Sequence, residues 1–430
     1  MFFRKKTDSE IYFIDQGKFT LGSRKGSLLG FKPLLLLGPG IIAGLSGDDA
    51  GGIATYSSVG ADYGYKFLWL FTLLIPTLAV IQMMSIRLGV VSGKGLTSLI
   101  RERFSLGTAM FGIVSLFLSN SLTAISEFFG IAASLELFMV PRFIGVPIAG
   151  FIVWWLIVKG SYKKVETLFL ILSSLFISYI AAAILAKPDW GHVVRDTFIP
   201  TFELNKEYLV LFVATIATSI TPYMQVFAQS SVVEKGIGIR DLKFAQLDAV
   251  LGSILAMVIA IFIVITTGAT LFPHGIVVNT AEDAARALAP LAGNYAKILF
   301  GLGLFGASML AAGVLPLTTA FSTCEAFGWR AGVNYSYKQA PIFYSIFTLL
   351  IIIGCAIAII PGIPLIRFLI LAYVLNGIFL PIELFYMLKL SNDRSLMDKY
   401  VNGPIFNLFC SIILVVITVA VALMLLFYVI

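Results

Sequence analysis

Gly47-Asp48-Asp49-Ala50-Gly51-Gly52 stands inside an apolar run from about residue 33 to 62. A carboxylate at bilayer depth costs roughly 2.5–3.5 kcal/mol on insertion scales. Each glycine weakens a helix by up to about 1 kcal/mol. A sequence that meets both costs in one place is explained by an unwound stretch lining a polar cavity, where freed carbonyls and a carboxylate coordinate a cation. The corresponding place in the second half is Ala217-Thr218-Ser219-Ile220-Thr221-Pro222-Tyr223. Pro222 has no N–H and clashes with the preceding turn, so it breaks the helix there. Polar residues continue through Gln225, Gln229, Ser230 and Ser231. Interrupted helices at matching positions of two halves point to the midplane site of a membrane carrier.

Composition supports the membrane reading. Of the 430 residues 59% are hydrophobic and 12% charged, against roughly 25% charged in a soluble domain. Apolar runs between charged, Gly or Pro punctuation give eleven candidate spans, about 33–62, 66–90, 106–139, 143–159, 164–186, 207–233, 244–271, 293–326, 341–360, 364–389 and 403–430. Segment 1–32 is polar and basic, lacks the apolar core of a signal peptide, and is expected in the cytoplasm. Residues 33–430 read as one transmembrane domain: repeat one 33–186, repeat two 207–389 and an extra helix 403–430. The loops 187–206 and 273–292 are long enough for structure of their own, and both are expected outside.

The formal net charge of +7 does not signify nucleic acid, because its distribution follows the membrane. With the N-terminus inside, 22 of the 30 Lys and Arg fall inside and 8 outside, as the positive-inside rule requires. The expected location is the cell (inner) membrane, multi-pass. Cys324, Cys355 and Cys410 lie in apolar segments without metal-ligand spacing, and His192 and His274 fall in loops. A Cys-based zinc site and a His-rich centre inside the bilayer are thereby excluded.

At these residues the chain resembles the Nramp family of divalent metal transporters. Gly38-Pro39-Gly40, Asp49 to Thr55 and Gly64-Tyr65-Lys66-Phe67-Leu68-Trp69 follow that family's first span and the turn after it. The match continues through Leu88-Gly89, Gly93-Lys94 and Ile100-Arg101. Ser126-Glu127-Phe128-Phe129-Gly130 is similar to its third span, and Leu310-Ala311-Ala312-Gly313 to its eighth. The resemblance implies an all-α membrane protein of about 11 spans. Its fold would be the LeuT type, a five-plus-five inverted repeat with helices 1 and 6 broken.

The family signature Asp-Pro-Gly-Asn falls on Asp49, Ala50, Gly51 and Gly52, and its Met-Pro-His on Thr221, Pro222 and Tyr223. The family's ligands therefore map to Asp49, Gly52 and Thr221, with the carbonyls of Ser46 and Thr218 freed by unwinding, and Tyr223 beside them is a further candidate for the metal site. The signature Asn and the thioether are both missing. Thioethers suit soft transition metals, whereas hydroxyl, carbonyl and water suit Mg²⁺, Ca²⁺ or Mn²⁺. Mg²⁺ keeps several waters and takes one or two carboxylates. The pattern resembles the prokaryotic Nramp-related magnesium transporters, which implies Mg²⁺ as substrate with Mn²⁺ also accepted. Ala124 stands where the family has an acid three residues before Glu127, Tyr223 replaces the span-six His, and span 341–360 has no charge. Weak or absent proton coupling is the expectation.

Asp48, Gln225, Glu127, Tyr373 and Asn376 are candidates for the surroundings of the ion. Glu325, Asp248 and Glu383 read as structural or interfacial acids. No Ser/His, His/Glu or paired-Asp constellation suggests an enzyme, and no catalytic residue or cofactor is expected beyond the transported ion. The expected partners are that ion and the lipid bilayer; the sequence does not decide the oligomeric state, and a monomer is compatible with it. Two other readings keep the fold: a proton-coupled Mn²⁺/Fe²⁺ symporter and a sodium-coupled organic solute symporter. Asp48-Asp49 would repel a substrate carboxylate in the last of these. Gly301-Leu302-Gly303-Leu304-Phe305-Gly306 spells a dinucleotide fingerprint, but without a preceding strand it reads as small-residue helix packing.

Overall fold

The computed structural model describes residues 49–159, 174–333 and 335–429. Ser46, Asp48 and the segment 1–32 lie outside the described residues, as does most of the first span. Among the described residues all regular structure is helical. The first half runs α1 Ala50–Tyr63, α2 Leu68–Ser92, α3 Leu96–Arg103, α4 Leu106–Leu137, α5 Arg142–Val158 and α6 Ser178–Leu185. After the connecting α7 Trp190–Phe198 come α8 Lys206–Ser219, α9 Pro222–Glu234 and α10 Leu242–Thr270. The short α11 Ala281–Arg286 and α12 Ala289–Ala292 lead into α13 Ala296–Phe327, α14 Pro341–Ala358, α15 Leu365–Ser391, α16 Arg394–Met397 and α17 Pro404–Val429.

The apolar runs match the described helices within a few residues. Eight stretches are long and apolar enough to cross a membrane, and Arg142–Val158 and Ser174–Leu185 are shorter apolar helices. The break expected in span six is present: α8 ends at Ser219 and α9 begins at Pro222. Both long loops carry short helices of their own. The sequence reading missed α3, a polar helix of eight residues with Arg101 and Arg103 in its last turn. Its pattern is too short to separate from a basic loop.

Small residues let the helices close in on one another. A side chain on Gly130 of α4 would strike Ala50 of α1 and Ser308 of α13, and one on Gly354 of α14 would strike the Phe128 ring. Gly301 and Gly303 sit in α13 against Phe138 and Phe176, so the fingerprint is helix packing. α17 presents Ile405, Leu408, Ile412 and Val415 outward, a surface suited to lipid tails.

Each end is tied down by hydrogen bonds from connecting segments. Near the start of α2, Trp69 donates its indole N–H to the Thr201 carbonyl at 3.1 Å and Tyr208 its hydroxyl to the same oxygen at 2.8 Å. Lys66 pairs with Glu203 at 2.8 Å, and that hydrogen bond holds the Glu203 carboxyl below its usual range. At the opposite end Glu325 accepts the Gly95 N–H at 2.8 Å and the Thr97 hydroxyl at 3.3 Å. Gln229 of α9 donates to the Lys94 carbonyl at 2.8 Å. Arg87 reaches Asn402 before α17. Glu325 is thus a structural cap, as its sequence reading held.

Candidate metal-ion site

Helix α1 starts at Ala50 because Asp49 caps it: the carboxylate Oδ1 accepts the Gly52 N–H at 2.9 Å. An aspartate in that position satisfies one of the free N–H groups and places negative charge at the positive end of the helix. The other oxygen, Oδ2, accepts the Tyr373 hydroxyl from α15. Tyr223, one residue into α9, also hydrogen-bonds the carboxylate. Glu127 of α4 accepts the Ala50 N–H at 3.4 Å through Oε2, while Oε1 has no partner among the described residues. Asp49, Tyr373, Tyr223 and Glu127 are all buried. Four helices therefore bring two carboxylates and two phenols to one point.

The α8–α9 break supplies the neighbouring wall. Ile220 and Thr221 leave helical geometry, with ψ of 61° and 137°. Pro222 then opens α9, its fixed φ suited to a first helical position. Tyr56 of α1 and Ser219 of α8 meet hydroxyl to hydroxyl at 3.2 Å, which sets α1 and the end of α8 side by side.

Several expectations need amending. The glycines of the signature predict an unwound chain, yet Gly51 and Gly52 are the second and third residues of α1. Gly51 is required for a different reason: a β-carbon there would collide with the Tyr373 ring. Gly51→Ala is expected to destabilise the protein by about 1–3 kcal/mol through overpacking, read as a lower unfolding temperature in detergent, whereas Gly52→Ala is expected to perturb this contact less. Thr218 does not present a bare carbonyl, since it accepts the Thr221 hydroxyl at 3.2 Å. A carbonyl has a second lone pair, so one acceptor position remains.

Of the surrounding candidates, Tyr373 touches Asp49 and Asn376 does not. Asn376 sits one turn along α15, accepts the Ser119 hydroxyl at 2.7 Å and donates to Thr123. Gln225 has an amide without partners, while its carbonyl accepts the Ser85 hydroxyl. Two residues escaped the sequence reading. Met224 places its sulfur 3.2 Å from the Thr221 hydroxyl, a spacing of one turn that Thr-Pro-Tyr-Met carries in plain view. Gln82 of α2 is buried with both amide atoms unpartnered, a polar residue amid an apolar span.

Residues 40–427 match the family model described as natural resistance-associated macrophage protein-like, Nramp. The chain belongs to the Nramp family. Nramp proteins move metal ions and are not enzymes. The chain is 24% identical over 398 residues to the divalent metal cation transporter MntH of Caldanaerobacter subterraneus subsp. tengcongensis, covering 89% of this chain and 91% of that one. It is 28% identical over 307 residues to the divalent metal cation transporter MntH of Bacillus subtilis, covering 67% and 70%.

Among solved structures the manganese transporter of Eremococcus coleocola superposes with a TM-score of 0.76 at 19% identity, covering 95% of this chain and 90% of that one. Mhp1, a nucleobase-cation-symport-1 family transporter, superposes at 0.58 with 14% identity and 91% coverage of each chain. These likenesses show the fold, the LeuT-type inverted repeat of two five-helix units.

Proposed function

We propose that this Nramp protein carries divalent cations across the cell (inner) membrane by alternating access. Its main substrate is Mg²⁺, with Mn²⁺ also accepted, and transport is weakly coupled to protons or not at all. The observation that supports this reading best is the chemistry around Asp49. Its partners are the phenols Tyr373 and Tyr223 and a backbone N–H, and among the described residues no group of three or more His, Cys, Asp or Glu could hold a metal. One carboxylate with oxygen neighbours suits a hard cation that retains waters.

The proton-coupled Mn²⁺ symporter is the second reading. Two observations favour it: the curated relatives are named divalent metal cation transporters MntH and the superposed structure a manganese transporter, and the Met224 sulfur lies against Thr221. Proteoliposomes carrying a luminal pH dye separate the two. The first reading expects saturable uptake of Mg²⁺ and Mn²⁺ with an unchanged luminal pH. Uptake of Mn²⁺ or Fe²⁺ without Mg²⁺, with acidification abolished by Asp49→Ala, would overturn it. The sodium-coupled solute symporter draws support from fold likeness alone.

A further inference from the structure

Glu383 of α15 is 1% exposed, and neither carboxylate oxygen has a hydrogen-bond partner or an ion pair among the described residues. Its position is well defined. Seven residues from Asn376, it lies on the same face of the helix, and Tyr386 follows three residues later. Asn376 bonds Ser119 and Thr123 of α4, and Tyr386 donates to the Thr108 carbonyl of α4. Glu383 is therefore held on the α4-facing stripe between two anchored contacts, about 15 Å from Tyr373 at ~1.5 Å per residue. It lies toward the end where α2, α9 and α15 finish at Ser92, Glu234 and Ser391, with Arg87 and Lys389 in their last turns or just before.

Other buried polar groups on α4 and α9 are unsatisfied too. Asn120 precedes Glu127 by two turns on the same face of α4, and both of its amide atoms lack partners among the described residues. Gln225 on α9, which packs against α2, α4 and α15, is in the same condition. Asn120 and Gln225 are fully buried. Buried polar groups in native proteins are nearly always paired, so a run of them leading from a transport site to a lone carboxylate marks a path that is hydrated in another conformation.

We propose that Glu383 is a second, weaker holding site for the divalent cation, met after Asp49 on the way to the basic end of the molecule. Asn120 and Gln225 provide amide oxygens between the two. The donors are hard oxygens throughout, which suits a cation travelling with part of its water shell. The inference rests on the divalent-cation reading of Asp49, and its test keeps the two apart.

Mn²⁺ titrations followed by electron paramagnetic resonance, with the full chain in detergent, compare wild type, Asp49→Ala, Glu383→Gln and the double variant. Asp49→Ala is expected to lose the tighter class of bound Mn²⁺ and keep a weaker one, which disappears in the double variant. In proteoliposomes Glu383→Gln is expected to lower the maximal Mn²⁺ rate about tenfold with KM changed less than twofold, and Glu383→Asp to restore at least half of it. If Asp49→Ala titrates like wild type, the reading of Asp49 fails. If the double variant titrates like Asp49→Ala, or Glu383→Gln transports at the wild-type maximal rate, the second site fails alone. Glutamine keeps the shape of the side chain, and an unfolding temperature within a few degrees of wild type shows that the rate loss is not a loss of fold.

Discussion

Asp49→Asn is expected to weaken Mg²⁺ and Mn²⁺ binding by about 100-fold or more, roughly 2.8 kcal/mol at 1.4 kcal/mol per decade, and to reduce uptake to the liposome background. Asparagine retains an oxygen that can accept the Gly52 N–H now bound at 2.9 Å, so α1 keeps its cap and the loss is one of charge. Asp49→Ala removes the charge and the cap together and adds a stability loss of about 1 kcal/mol. Isothermal titration of both variants beside thermal unfolding distinguishes the contributions. Mg²⁺ binding by Asp49→Asn within threefold of wild type would remove Asp49 from the site.

Thr221→Met is expected to move selectivity rather than abolish transport. Thr221 now uses its hydroxyl on the Thr218 carbonyl and the Met224 sulfur. A methionine there sets a thioether in the break itself and frees the Thr218 carbonyl. Soft donors favour Mn²⁺ and still more Cd²⁺ over Mg²⁺, so the ratio of Cd²⁺ to Mg²⁺ affinity is expected to rise about tenfold, with slower Mg²⁺ uptake. Competition of Cd²⁺ and, separately, of Mg²⁺ against Mn²⁺ uptake measures it. An unchanged ratio in a folded variant would show that residue 221 does not face the ion.

The helices were legible because the bilayer imposes long apolar runs, and Pro222 made the second break readable to the residue. The carboxylate at 49 was equally plain, since no other account of Asp48-Asp49 inside an apolar run is cheap. What escaped was pairing across helices. Nothing in the local pattern separates Tyr373, which reaches Asp49, from Asn376, which turns to Ser119 and Thr123; one turn of α15 decides between them. The glycines misled for a related reason. A glycine weakens a helix wherever it stands, but at Gly51 it is needed because another helix's ring occupies the space. Glu383 looked structural in the sequence, where its lack of partners could not be seen.

The cap on α1 also bears on which cations the protein refuses. With Oδ1 engaged by the Gly52 N–H and Oδ2 by the Tyr373 hydroxyl, Asp49 can give an incoming ion Oδ2 by releasing a side chain, whereas Oδ1 stays with the helix cap. Mg²⁺ loses nothing by this, because it takes carboxylates singly and fills its octahedron with water. Ca²⁺ commonly grips a carboxylate by both oxygens, and to do so here it must uncap the helix, at about 1 kcal/mol. Denticity, set by a helix terminus and not by the width of a cavity, thus becomes a filter against the larger ion.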